Sequence, residues 1–188
     1  LEPFAVFAGW RDAEHAAQLL AAADPELTGA ADDVRAENPQ AALPKILAVG
    51  PERVQNDIGR VLERAADLGL DSYETASLAL AAREFPGDAG LLVLLLLGHR
   101  RLEAGAAVYM PAGGVHAYAE GFGIEIMTSS DNVLRLGLTS KRIAVDEAIV
   151  ALRDEGEPHF LGADVQMDHG HPVMTSYRPY SAPFAAEF

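Results

Sequence analysis

The sequence predicts an α+β protein, and three observations carry that prediction. Between Pro39 and Phe85, apolar residues recur at steps of three and four. At Phe85-Pro86-Gly87-Asp88 that period stops. Beyond it come short apolar pieces separated by Gly and Pro, the punctuation of strands and turns.

Residues 1–10 (LEPFAVFAGW) are apolar and aromatic without a helical period, and read as a strand. Asp12 is placed to cap a helix carrying Ala16, Leu19, Leu20 and Ala23 on one face. Residues 24–38 are polar with Gly and Asp, and read as a loop. Val54, Ile58, Val61, Leu62, Ala65 and Leu68 form one apolar stripe, which is core. Asp71 with Glu74 three residues on has the form of a capping box ahead of Leu78, Ala82 and Phe85. The run 91–97 (LLVLLLL) is seven residues long, far short of the roughly 20 that span a bilayer, and reads as a buried strand. Residues 108–110, 116–118 and 123–127 read as short strands. Residues 143–153 (IAVDEAIVALR) return to a helical pattern, and residues 158–188 are irregular with scattered strand residues.

Composition narrows the function classes. The 188 residues fit one large domain or two small ones, and 49% are apolar, ample for a core. There is no cysteine, which excludes disulfides and thiolate metal sites. Any metal must be held by His, Asp, Glu, Gln or water. A formal charge of −14 makes nucleic acid and anionic membrane poor partners. The acid is uneven: residues 11–84 carry a net charge of −7, whereas Asp131, Arg135, Lys141 and Arg142 give residues 131–142 a net charge of +2. Such an island suits an anionic small ligand or a solvated loop. No basic region followed by an apolar stretch opens the chain, so a cytoplasmic setting is expected. The sequence begins Leu1-Glu2-Pro3 without Met, and a longer gene product is expected.

The informative stretch runs from Gly105 to Arg142. Gly105 turns the chain, Val108-Tyr109-Met110 forms a strand, and Pro111-Ala112-Gly113-Gly114 makes a second turn. His116 then opens the next strand, sharing a face with Tyr118 while Ala117 takes the other. The spacing Gly, five residues, Pro-x-Gly, two residues, His resembles the second motif of the cupin superfamily, small jelly-roll barrels that hold a metal inside. Glu120 stands where that motif usually has Asn.

The continuation, from His116-Ala117-Tyr118 through Glu125 and Met127 to Ser130-Asp131-Asn132-Val133-Leu134-Arg135-Leu136-Gly137-Leu138-Thr139-Ser140-Lys141, closely resembles the class I mannose-6-phosphate isomerases. Phe85-Pro86-Gly87-Asp88 and Pro3-Phe4 leading into Gly9-Trp10-Arg11 also resemble that family, as does, more loosely, the rest of the chain. The resemblance implies the C-terminal half of such an enzyme: a cupin jelly-roll β-barrel with a helical insertion and the start of a second β domain. Residues 1–10 would be cupin strand, 11–84 the helical domain, 85–142 the catalytic segment, and 143–188 a linker helix with part of a C-terminal β domain.

The same resemblance implies a zinc-dependent aldose–ketose isomerase acting on mannose 6-phosphate and fructose 6-phosphate, and a monomer. By it His116 is a Zn²⁺ ligand, Arg135 the catalytic arginine, and Lys141, Glu125 and Tyr118 line the substrate site. Moving a proton between C1 and C2 passes through an enediol, whose developing charge a metal and a fixed cation stabilise. Arg supplies a planar, permanent fork, and Lys suits phosphate as a point charge. The family's other zinc ligands, in Gln-Val-His-Pro and Lys-Pro-Glu segments, have no counterpart in these residues. With one imidazole where stable sites take three or four protein ligands, the chain alone is expected to bind zinc weakly and to lack activity. Two other readings compete: a truncated cupin that binds sugar or serves as an interaction module, and another cupin enzyme such as an iron dioxygenase. The string at residues 130–135 argues against the last. Asp168, His169 and His171 are expected in a surface turn.

Overall fold

In the computed structural model, residues 3–129, 133–141, 143–153, 156–179 and 185–187 are described. Strand β1 (Phe4–Trp10) opens the chain, and six helices follow: α1 (Ala13–Ala23), α2 (Thr28–Arg35), α3 (Pro39–Leu47), α4 (Pro51–Glu63), α5 (Ser72–Glu84) and α6 (Gly90–Leu94). Then come β2 (Leu97–Leu102), β3 (Ala107–Tyr109), β4 (His116–Glu120), α7 (Val145–Ala151), β5 (His159–Leu161), β6 (Asp164–Asp168), β7 (His171–Tyr177) and β8 (Ala186–Glu187). The result mixes helix and sheet, as the change of period at Phe85 predicts.

The helices make the main core. Leu19, Leu20, Leu43, Ile46, Ile58 and Leu78 are fully buried among them, each worth about 1.5–3 kcal/mol of apolar transfer. Asp12 accepts from the His15 amide at 2.9 Å, capping α1 as expected. Asp71 accepts from the Tyr73 and Glu74 amides, both at 2.8 Å. The expected capping box is only half made, because the Glu74 side chain turns away to Arg11.

Two expectations fail within this region. Residues 24–38 are not a loop: Asp24 caps a 3₁₀ turn (Pro25–Leu27), and α2 follows. Ala30, Ala31 and Val34 bury its inner face, a spacing masked in sequence by Gly29, Asp32 and Asp33. The run 91–97 is not a strand either. It begins as α6, turns at Leu95-Leu96, and becomes strand only at Leu97. All seven residues are buried, so their sequence carries no one-sided period that separates a short buried helix from a strand.

β1 lies at the centre of a three-stranded antiparallel sheet in the order β2-β1-β4. Its residues Ala5, Val6, Phe7 and Ala8 are buried, with Phe7 reaching into the helical core. The remaining described strands pair as β3-β5 and β6-β7-β8. Residues 123–127 are not a strand. Ile124 is 73% exposed and Phe122 85% exposed, and no neighbouring strand among the described residues pairs with them. No helix of the described residues is long and apolar enough to cross a membrane.

Candidate functional site

Two tight turns place the site strand. The Ala106 amide donates to the Glu103 carbonyl at 3.0 Å, and the Gly114 amide to the Pro111 carbonyl at 3.1 Å. Gly113 has φ +87°, a left-handed conformation in which a side chain is strained, and a Cβ there would lie 2.6 Å from Arg153 Cγ. A Cβ on Gly114 would lie 2.4 Å from the Gly156 carbonyl oxygen. The Gly-rich turn is thus held by the chain that leaves α7, and the Arg153 amide donates to the Gly113 carbonyl at 3.3 Å.

From that turn β4 runs beside β1, with His116 opposite Ala8 and Tyr118 opposite Val6. Ala117 and Ala119 pack toward the core, while His116, Tyr118 and Glu120 lie on the open face. The alternation expected from sequence is therefore present. The His116 and Tyr118 rings stand 5.6 Å apart. His116 Nδ1 sits 3.2 Å from the Gly114 carbonyl, which can only accept. In the neutral ring the proton therefore lies on Nδ1, and Nε2 presents a lone pair.

Glu125 reaches the same face from a loop rather than from a strand. The Tyr118 phenol donates to Glu125 Oε1 at 2.8 Å. Burial, then the bond and charge of Glu125, push the Tyr118 pKa far above its ordinary value, so the phenol remains a donor. Phe4 packs edge-on against the Tyr118 ring at 5.3 Å. Gly121, at φ +110°, lets the chain cross Phe4 where a Cβ would lie 2.7 Å from Phe4 Cα. That crossing folds Glu125 back onto Tyr118. Pro3-Phe4 entered the sequence reading only through the family resemblance, and neither Phe4 nor Gly121 was given a part in the site; the signal was a Gly two residues past Ala119 in a run otherwise patterned as strand.

Arg135 and Lys141 lie on the irregular segment 133–141. Arg135 Nη1 donates to the Val133 carbonyl at 3.3 Å, and the Lys141 amide donates to Thr139 Oγ1 at 3.1 Å. Among the described residues, no hydrogen bond or ion pair joins either cation to the His116–Tyr118–Glu125 group. Ser130, Asp131, Asn132 and Arg142 lie outside the described residues. His169 and Gly170, with φ +47° and +83°, form the two-residue turn between β6 and β7, with Asp168 paired to His171. The His169 side chain is 95% exposed there. Among the described residues, no three His, Cys, Asp or Glu side chains gather as a metal site.

A comparison with curated proteins finds mannose-6-phosphate isomerases. That of Shigella flexneri is 30% identical over 161 residues, covering 84% of this chain and 41% of the relative. That of Cryptococcus neoformans var. neoformans serotype D is 35% identical over 117 residues, or 60% and 27%. The chain is a homologue of the mannose-6-phosphate isomerases. It spans less than half the length of these relatives. No family model matches. Among solved structures, the mannose 6-phosphate isomerase of Salmonella typhimurium bound to its substrate, fructose 6-phosphate, and to zinc superposes with a TM-score of 0.74 at 24% identity, covering 99% of this chain and 47% of that one. A variant of the same phosphomannose isomerase gives a TM-score of 0.76 at 23% identity, covering 99% and 48%. The chain therefore has the fold of part of a mannose-6-phosphate isomerase.

Proposed function

We propose that this chain carries the catalytic segment of a zinc-dependent mannose-6-phosphate isomerase, converting mannose 6-phosphate and fructose 6-phosphate into one another. The observation that carries this is the open face of β4. There His116 offers a free Nε2, Tyr118 a held phenol and Glu125 a carboxylate, in a fold shared with a protein whose structure holds fructose 6-phosphate and zinc. We further propose that this face lines a cupin barrel, with residues 11–84 as its helical insertion and residues 143–188 leading into a second β domain.

The donor chemistry fits zinc at one position. His116 supplies a neutral imidazole nitrogen whose other nitrogen is fixed by a backbone carbonyl, the usual arrangement of a ligating His. The described residues do not bring a second and third ligand beside it. The remaining ligands in this proposal come from polypeptide outside the described residues, in the Gln-Val-His-Pro and Lys-Pro-Glu segments that the family resemblance implies. When bound, the metal polarises the sugar oxygens and stabilises enediolate charge.

The chain's own residues supply the rest. The Tyr118 phenol can donate to a sugar hydroxyl only by sharing or giving up its bond to Glu125, so the pair acts as one polar wall. Arg135 is the fixed cation for charge that develops in the transition state, and Lys141 the point charge for the phosphate. The test is a coupled assay of mannose 6-phosphate isomerisation by the product of the complete reading frame that contains these residues, with zinc content measured. His116→Ala should release zinc and abolish turnover with the fold intact. Arg135→Ala should lower kcat with little change in KM. Unchanged zinc in the first variant and unchanged kinetics in the second would overturn the proposal.

A further inference from the structure

We propose that Asp88 is a positioning residue that clamps the segment carrying Arg135 and Lys141 onto the helical core. Its carboxylate bridges two backbones. One oxygen, Oδ1, accepts from the Gly90 amide at 2.7 Å, at the start of α6. The other, Oδ2, accepts from the Leu138 amide at 3.0 Å, three residues beyond Arg135 and three before Lys141. A single acidic side chain thus joins Phe85-Pro86-Gly87-Asp88 to the basic segment, 50 residues away in the chain.

The surroundings are built for that contact. Gly137 has φ +155°, and a Cβ there would lie 2.5 Å from Asp88 Oδ1 and 2.8 Å from Gly90 Cα. A Cβ on Gly90 would in turn meet Gly137 Cα at 3.0 Å. Two bare backbones therefore touch, and the carboxylate closes the gap between their amides. Leu136 and Leu138, flanking Gly137, pack against the helical core. Asp88 is itself fixed from the other side. Gly87, at φ +76°, lies against Pro51 at the start of α4, where a Cβ would be 2.9 Å from Pro51 Cβ. The anchoring runs from α4 through Asp88 to the segment that holds both cations.

This inference deepens the proposed function, since it rests on Arg135 and Lys141 facing the substrate, but the clamp itself is testable without activity. In the chain as it stands, Arg135 and Lys141 are trypsin sites on the clamped segment. Asp88→Ala should speed cleavage there by about 10- to 100-fold, the weight of one hydrogen bond to a charged acceptor, and strip protection from the Leu138 amide in hydrogen exchange. Gly137→Ala, whose Cβ would press on Asp88 Oδ1 and the Gly90 backbone, should do the same through a change on the segment itself, which guards against Asp88→Ala simply failing to fold. Asp88→Ser keeps an acceptor for the Gly90 amide but is too short to bridge, so it should cleave as fast as Asp88→Ala. In the complete reading-frame product, Asp88→Ala should lower kcat with zinc content unchanged, and Asp88→Asn should recover part of it. Wild-type cleavage in Asp88→Ala and Gly137→Ala, or full rescue by Asp88→Ser, would reduce Asp88 to a cap for α6 and overturn the clamp. If instead the clamp results hold but Arg135→Ala has normal kinetics, it is the catalytic reading of the segment that fails.

Discussion

Removing the Glu74 carboxylate should destabilise this chain by about 3–5 kcal/mol, because it would strand a buried guanidinium. Arg11 follows β1 directly, and its guanidinium donates both to Glu74 on α5 and to the Leu97 carbonyl, the latter at 2.9 Å. The two side chains are only 8% and 11% exposed. Arg11 Nε is buried without a hydrogen-bond partner among the described residues, so the charge already has little solvation to fall back on. Glu74→Ala should therefore lower Tm by roughly 6–20 °C for a domain of this size. Arg11→Met combined with Glu74→Leu removes both charges and leaves only the Leu97 carbonyl without its donor, a loss of about 1–3 kcal/mol. The double variant should then be more stable than Glu74→Ala alone. Urea unfolding of the wild type, Arg11→Met, Glu74→Leu and the double variant closes the cycle, with Glu74→Ala measured beside them. Additive losses, or a Glu74→Ala loss below about 1 kcal/mol, would show that the pair is solvated in solution and would refute the argument.

Two further variants probe local chemistry. Asp57 is fully buried on α4, one oxygen bound by Arg60 at 2.5 Å and the other without a partner among the described residues; burial first, then neighbouring Asp24, pushes its pKa up against the pull of Arg60 and Arg53. A raised folded-state pKa favours the native state at low pH and loses that advantage as pH rises through it. Asp57→Asn should accordingly raise the urea midpoint at pH 7 and gain progressively less as pH falls toward about 4, the ordinary carboxylate range; a loss at pH 7, or a gain independent of pH, would contradict this. Gly114→Ala, with its Cβ 2.4 Å from the Gly156 oxygen, should destabilise by about 1–3 kcal/mol in thermal unfolding and displace the carbonyl that orients His116, whereas an unchanged Tm would mean that Gly156 does not brace the turn.

Much of this fold was legible because one-sided patterns were strong. The α4 stripe, the Asp12 cap and the Gly/Pro turns around Val108 all state a period or a backbone demand in the residues themselves. The same logic explains the failures. The run 91–97 is buried on every side, so nothing in it distinguishes helix from strand. Residues 123–127 alternate like a strand, yet their apolar side chains lie exposed and unpaired among the described residues, and pairing is a tertiary fact that no local pattern encodes. At the candidate site, alternation put His116 and Tyr118 on one face, but the return of Glu125 by a loop depends on Gly121 crossing Phe4, a contact between the start of the chain and its middle.

The strings that resemble the isomerase family outside the chemical segment acquire a physical reason from this arrangement. Pro3-Phe4 supplies the ring against which Tyr118 packs. Gly9-Trp10-Arg11 ends β1 with the guanidinium that ties the sheet to α5. Phe85-Pro86-Gly87-Asp88 places a carboxylate under the segment that carries Arg135. None of the three brings a group that could touch a sugar phosphate through these contacts. Each instead fixes one element relative to the helical core: Phe4 steadies the aromatic neighbour of His116 on β4, Arg11 secures the central strand to which β4 is bonded, and Asp88 holds the basic segment. In the proposed site the cation and the imidazole arrive on separate segments, so both need to be referred to one rigid body, since small misplacements of a catalytic group are expensive in rate. The helical core is that body here, which is why residues remote from the chemistry share the pattern with those that would perform it.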